Sequence, residues 1–128
     1  MKIFAIIPIK HNSERVKNKN FKIFNEKPLF FWIINTLINV KRINKIIIDT
    51  DSNIIKNGIE KYFKKSMEKI IIYDRPENLR GGHISTNLLF MNVINDLKLD
   101  ADVYFQTHTT NPLLSINTIN KAIDTYKK

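Results

Sequence analysis

Between Ile9 and Pro28 the sequence sets six cations, Lys10, Arg15, Lys17, Lys19, Lys22 and Lys27, among Asn12, Ser13, Asn18 and Asn20. A polyphosphate needs such a set: Lys and Arg give charge-assisted hydrogen bonds to its oxygens, and hydroxyls, amides and backbone N–H groups complete the cradle. The segment is not a P-loop, because the GxxxxGK[ST] spacing is missing. Nor is it a dinucleotide fingerprint, because it holds no glycine. On residue types alone, an ordinary basic surface loop reads the same way. Three further polar clusters follow: Asp49-Thr50-Asp51-Ser52, the run from Arg75-Pro76 through Gly81-Gly82 to Thr86, and His108-Thr109-Thr110-Asn111-Pro112. Asp49 and Asp51 alternate, so a strand end could bring both carboxylates to one face and offer them to a cation. Alternatively, Asp51 or Ser52 simply caps the next helix.

The elements that must position these clusters are legible from hydrophobic periodicity. Residues 2–9 form a continuous apolar run, as expected of a strand buried on both faces. Residues 10–27 show no helical period and read as a long loop. Pro28 suits the first position of a helix over 29–40. A strand is expected at 45–49, a helix at about 53–65, a strand at 69–73, a helix starting at Ser85 or Thr86 and running to about 97, and a strand at 102–106. Asn111-Pro112 marks a turn, and Ser115 is placed to cap a last helix over 116–126. Successive strand–helix units call for a parallel sheet with right-handed crossovers, in a Rossmann-like three-layer α/β fold of about four strands with helices on both faces. Ligands of such sheets bind beyond the carboxyl ends of the strands, which is where all four polar clusters fall.

The 128 residues allow one domain, and a 43% hydrophobic content supports a packed core. No apolar run approaches the roughly 18 residues of a membrane span. The opening MKIFAIIPIK is too short for a signal peptide, and a cytoplasmic location is the default reading. Cysteine is absent, which excludes a disulfide framework, thiolate metal ligands and a cysteine nucleophile. The net charge of +9 admits either nucleic acid or a smaller polyanion. No nucleic-acid reader motif is present, and outside residues 10–27 the lysines are scattered over a chain rich in Ile, Asn and Lys.

In order and spacing, the four clusters resemble those of the acylneuraminate cytidylyltransferases, which activate sialic acid and related sugar acids. That family opens with a strand, a pattern like IPARGGSKRIPGKN, and then GKPL; this chain reads IIPIKHNSERVKNKN and then NEKPLFFWII. Its STDS, RPxxL and QPTSPL motifs correspond to Asp49–Ser52, Arg75–Leu79 and His108–Leu113. The resemblance spans nearly the whole chain and implies an incomplete domain of the nucleotide-diphospho-sugar transferase type, with residues 1–128 as its nucleotide-binding part. It also implies roles. Lys10 stands where the family has a phosphate-binding arginine and lacks the bidentate fork. Ser13, Arg15, Lys19 and Asn20 match nucleotide-binding positions, whereas Glu14 reverses the charge of a family lysine. Lys19 and Lys10 are the expected catalytic cations. Arg75 matches a cytidine-holding arginine, the backbone of Ile84 and the hydroxyl of Thr86 match base-recognition positions, and His108 and Thr110 fall on sugar contacts.

The implied reaction joins a sugar acid to CTP, giving CMP-sugar and pyrophosphate, with Mg²⁺ accompanying the nucleotide. No metal ligand is assigned in this chain beyond Asp51 as a candidate, because the family's metal-binding aspartates lie in a later segment. Nucleotide binding is therefore expected to survive better than turnover. The expected partners are CTP and a sugar acid, with no nucleic acid or membrane, and a homodimer is expected only for a longer form. Two alternatives stand beside this one: transfer of another nucleotide, and nucleotide binding without catalysis.

Overall fold

The computed structural model describes residues 1–10, 19–81 and 84–127, with Lys19 described by its backbone only. The strands are β1 (Ile3–Ile9), β2 (Ile23–Phe24), β3 (Lys27–Pro28), β4 (Lys45–Thr50), β5 (Ile70–Asp74) and β6 (Val103–Gln106). The helices are α1 (Leu29–Ile38), α2 (Asn53–Tyr62), α3 (Thr86–Asp96) and α4 (Ile116–Lys127). β1, β4, β5 and β6 form a parallel sheet in the order β5-β4-β1-β6. Among the described residues, no helix is long and apolar enough to cross a membrane.

β1 is central, and its alternation sorts the two halves of the core. Ile3, Ala5, Ile7 and Ile9 join Ile46 and Ile48 on one face, packed with Phe30, Ile33, Ile34 and Leu37 of α1, Ile55 and Ile59 of α2, and Ile119 and Ile123 of α4. Phe4, Ile6 and Ile47 point the other way, toward Val93, Phe90 and Ile94 of α3. The 30, 33, 34, 37 spacing is the apolar stripe of a helix laid on a sheet. Winding follows from this division. The chain passes from β1 outward to β4 and β5 with α1 and α2 on one face, and then returns beneath the other face through α3 to pair β6 with β1.

Serine hydroxyls begin three of the helices. Ser52 accepts from the Ile55 N–H (3.2 Å), Ser85 from the Leu88 N–H (3.2 Å) and Ser115 from the Thr118 N–H (3.1 Å). Each satisfies a first-turn donor that would otherwise lack a partner.

The expectation of an unbroken loop to Lys27 is corrected by a short antiparallel ribbon, in which Ile23 pairs with Pro28 and Phe24 with Lys27. Pro28 belongs to this ribbon, extended at φ −59°, ψ 151°, and stands at the N-cap of α1 rather than at its first position, while α1 runs from Leu29 and ends at Ile38, short of the expected residue 40. The ribbon turns through Asn25 (φ 49°) and Glu26 (φ 72°), both left-handed. A two-residue hairpin of this kind wants positive φ at both positions, which Asn tolerates and Gly adopts freely, while a glutamate is strained there. Glu26 stands at the position of the glycine in GKPL, so the geometry explains the glycine of the resembling pattern. Glu26→Gly is expected to stabilise the fold by roughly 1 kcal/mol in chemical denaturation. A loss of stability would show that the ribbon does not hold this turn.

Candidate functional site

Because the four strands are parallel, the loops that follow them share one end of the sheet. Between β1 and β6 the winding reverses, and a crevice opens at such a switch point. Asn20 closes its base. Its Nδ2 donates to the Lys10 carbonyl (2.7 Å), and its Oδ1 accepts from the Thr109 hydroxyl (2.5 Å). Asn20 and Thr109 are each only 4% exposed. One side-chain amide therefore ties the end of β1 to the loop after β6, 89 residues away. Lys10 is half-buried beside this clamp. Asn20 itself sits in a single 3-10 turn, Lys19–Phe21, whose Phe21 packs against the core. Ser13 and Arg15 lie outside the described residues, as does the side chain of Lys19.

The loop after β6 continues the wall. Gln106 Nε2 lies 3.3 Å from His108 Nε2, and two backbone turns, Asn111 N–H to His108 O and Leu114 N–H to Asn111 O (both 3.2 Å), fold residues 108–114. Thr110 is exposed, His108 half-buried and Thr109 buried, so the sequence reading chose the outward threonine and missed the one that forms the clamp. Thr107 was missed as well. Its Oγ1 is buried without a hydrogen-bond partner among the described residues, a condition that costs about 1–3 kcal/mol until a partner is supplied. Nothing in the spacing distinguishes Thr107, Thr109 and Thr110; the fold of the loop after β6 does, burying the first two and exposing the third.

On the other side of β1, the motif residues bond to one another. Arg75 donates from Nε to Asp49 Oδ1 (3.0 Å) and from a terminal nitrogen to the Asp49 carbonyl (2.9 Å), and both side chains are 1% exposed. The Arg75 N–H bonds the Thr50 carbonyl (3.0 Å), which prolongs the β4–β5 pairing past the end of β5. Arg75, the expected cytidine contact, thus lies in the floor of the site, roughly two strand spacings or 10 Å from β1. Thr50 and Ser52 are taken up by the helix cap, where the Ser52 N–H bonds Thr50 Oγ1 at 3.1 Å. Of the two candidate carboxylates, Asp49 is already bonded to Arg75 through Oδ1, and Ser52 caps the next helix. No group of three His, Cys, Asp or Glu able to hold a cation occurs among the described residues.

Ile84 donates its N–H to the Gly81 carbonyl (3.3 Å), and Thr86 is the first residue of α3, half-buried behind its cap Ser85. Both stand at the rim after β5. Asp74, at the outer edge, is held below the ordinary carboxylate range chiefly by the hydrogen bond from Lys56 (2.6 Å).

Burial raises the Asp49 carboxyl above its ordinary 3.8, since desolvation outweighs what Arg75 returns. A group raised in this way stabilises the fold fully below its unfolded pKa, and that contribution fades as pH rises through the folded value. Arg75→Met, which leaves a buried carboxylate without its counter-charge, is expected to cost about 3–5 kcal/mol at neutral pH. The loss should shrink toward about pH 4, and adding Asp49→Leu should recover most of it. Denaturation curves across pH check this; a loss that grows on acidification would contradict the assigned direction.

Comparison with known proteins agrees with the motifs. The family model described as cytidylyltransferase matches residues 4–128. A pseudaminic acid cytidylyltransferase of Campylobacter jejuni is 27% identical over 98% of this chain and 53% of its own length. A Helicobacter pylori protein named as both pseudaminic acid cytidylyltransferase and UDP-2,4-diacetamido-2,4,6-trideoxy-beta-L-altropyranose hydrolase is 26% identical over 100% of this chain and 24% of its own. Among solved structures, CMP:2-keto-3-deoxy-manno-octonic acid synthetase complexed with CTP superposes with a TM-score of 0.78 at 17% identity, covering 99% of this chain and 48% of that one. A 4-diphosphocytidyl-2C-methyl-D-erythritol synthase of Anaerococcus prevotii gives 0.69 at 21% identity, covering 99% and 51%. The two structures show the shared fold. The chain spans about half the length of the Campylobacter relative and of both solved structures. A parallel sheet in this order, four motifs at its carboxyl end and a family match running from the first strand to the last helix lead to one conclusion: the chain belongs to the cytidylyltransferase family.

Proposed function

We propose that this chain supplies the CTP-binding part of an enzyme that transfers a cytidylyl group to a sugar acid, of which the pseudaminic acid named for its Campylobacter and Helicobacter relatives is one. The observation that carries this reading is the clamp at the switch point, where Asn20 joins the loops after β1 and β6. Between those loops a triphosphate finds Lys10 and the segment that holds Ser13, Arg15 and Lys19.

In this reaction the anomeric hydroxyl of the sugar acid attacks the α-phosphorus of CTP. The new O–P bond forms as the bond to the β-phosphate breaks, and pyrophosphate leaves. Little covalent chemistry is asked of the protein, which must hold the reactants in line and balance charge. Lys10 and Lys19 are the cations assigned to the triphosphate. Asn20 is a positioning residue that fixes the backbone at Lys10. Ile84 and Thr86 are assigned to the base, with Arg75 and Asp49 holding the floor beneath it, and His108 and Thr110 to the sugar. The divalent cation, Mg²⁺ in this reading, arrives with the triphosphate as part of the substrate.

Titration with CTP, UTP, GTP and ATP, each with and without Mg²⁺, checks the assignment by thermal shift. CTP at 100 times its Kd should stabilise the fold by about 2.7 kcal/mol, ahead of the other three. Lys10→Ala and Lys19→Ala should lose most of that gain while keeping the ligand-free stability, a separation that Arg75 variants cannot give because Arg75 is buried. Equal indifference to all four nucleotides would refute the proposal.

A further inference from the structure

At the amino end of the sheet, away from the four polar clusters, the ends of α1 and α2 frame a cavity of about 350 Å³. Asn35 and Asn39 line it from α1, and Lys61, Lys64, Lys65 and Ser66 from the end of α2 and the turn that follows. Ammonium, amide and hydroxyl groups thus converge on one space, and no carboxylate is among the described residues around it. Glu60 and Glu68 flank this stretch in sequence and stand outside the lining. Elsewhere the chain pairs its cations with nearby acids, Lys2 with Asp100, Arg42 with Asp124 and Lys56 with Asp74. Lys61, Lys64 and Lys65 form no ion pair among the described residues.

Lysines at helix ends ordinarily serve the last carbonyls, which carry the negative end of the helix dipole. Here other groups take that duty. Lys69, just before β5, donates from Nζ to the carbonyls of Leu37 (3.3 Å), Ile38 (3.0 Å) and Val40 (2.9 Å). Asn39 Nδ2 donates to the Asn35 carbonyl at 2.8 Å, and the Phe63 N–H closes α2 on the Ile59 carbonyl at 2.9 Å. The end of α1, which would repel an anion, is therefore already neutralised, and three ammonium groups remain beside it. Lys61 is also held in place. Its Nζ stands 5.3 Å from the centre of the Tyr62 ring, which packs edge-on against Phe31 and Phe63.

Three cations around a bounded space match a ligand that carries two or more negative charges on a compact group. A phosphate meets this, because its oxygens point in several directions and accept from ammonium, amide and hydroxyl donors together. A nucleic-acid strand would need cations strung along a track, whereas these close around a pocket. We propose that this cavity binds a small anion of the phosphate class, whether orthophosphate, pyrophosphate or a phosphate monoester. The site is separate from the nucleotide end of the sheet and independent of the cytidylyl-transfer reading.

The experiment is an amide NMR titration of the 128-residue chain with sodium phosphate and with sodium pyrophosphate, against sodium chloride at equal ionic strength. Saturable shifts are expected at Asn35, Asn39 and residues 61–66 with both phosphates and not with chloride. An exposed charge contact contributes roughly threefold to affinity, so Lys64→Gln combined with Lys65→Gln should weaken binding there about tenfold. Both side chains are exposed, so the pair leaves the fold intact, and Lys121→Gln, at an exposed position on α4, should change nothing. Shifts at Lys10, Asn20 and Phe21 would report the nucleotide end and should be the same in the double variant. Shifts at the cavity that do not saturate, that chloride reproduces or that survive the double substitution would overturn the site. So would a response only to an oligodeoxynucleotide or only to anionic lipid vesicles, each titrated alongside as the other sources of phosphate groups.

Discussion

A sheet that winds outward from its central strand and then returns past it leaves two loops facing each other across a crevice with no nearby covalent link. Here those loops follow β1 and β6, and the Asn20 side chain is what joins them. An amide suits the task because it donates and accepts at once. Its Nδ2 donates to the Lys10 carbonyl, partly buried, and its Oδ1 accepts from the buried Thr109 hydroxyl. A buried bond of this kind is strong, and leaving either partner unpaired is expensive. Lys10, at the end of β1, is therefore tied to Asn20. The loop after β6 is fixed to the same side chain.

The second support is the Arg75–Asp49 pair beneath the other half of the site. Burying an ion pair gains little stability over an apolar pair of the same shape. It does fix geometry, because Arg75 uses its side chain on Asp49 and its N–H on Thr50, holding the ends of β4 and β5 in register. A floor built this way presents backbone and rim residues to a ligand. The motif arginine and the motif aspartate then have a joint explanation that neither has alone.

Much of this was legible in the sequence. Ile-rich runs marked β1, β4 and β5, and Ser115 marked one cap while Ser52 and Ser85 were each one of two candidates, since these signals are local. The strand ends told where the polar clusters would gather. What stayed hidden depends on contacts across the fold. The bond between Asn20 and Thr109 spans 89 residues, and no spacing rule pairs them. Threonines 107, 109 and 110 are alike in type, and the fold of the loop after β6 decides which are buried. The sequence left Asp49-Asp51 open between a cation pair and a helix cap, because the counter-charge of Asp49, Arg75, lies 26 residues on. The ribbon at residues 23–28 was missed because its turn uses Asn25-Glu26 where a glycine would have signalled it.

Amide hydrogen exchange of the chain with and without CTP and Mg²⁺ addresses the central claim most directly, because it reports where a nucleotide settles without presupposing which residues hold it. The account predicts new protection at the switch point: at Lys10, Asn20 and Phe21, at residues 107–114, and at the ends of β4 and β5. Protection confined to the opposite end of the sheet, at residues 39–44 and 63–69, or spread evenly over the lysine-bearing helices, would contradict it.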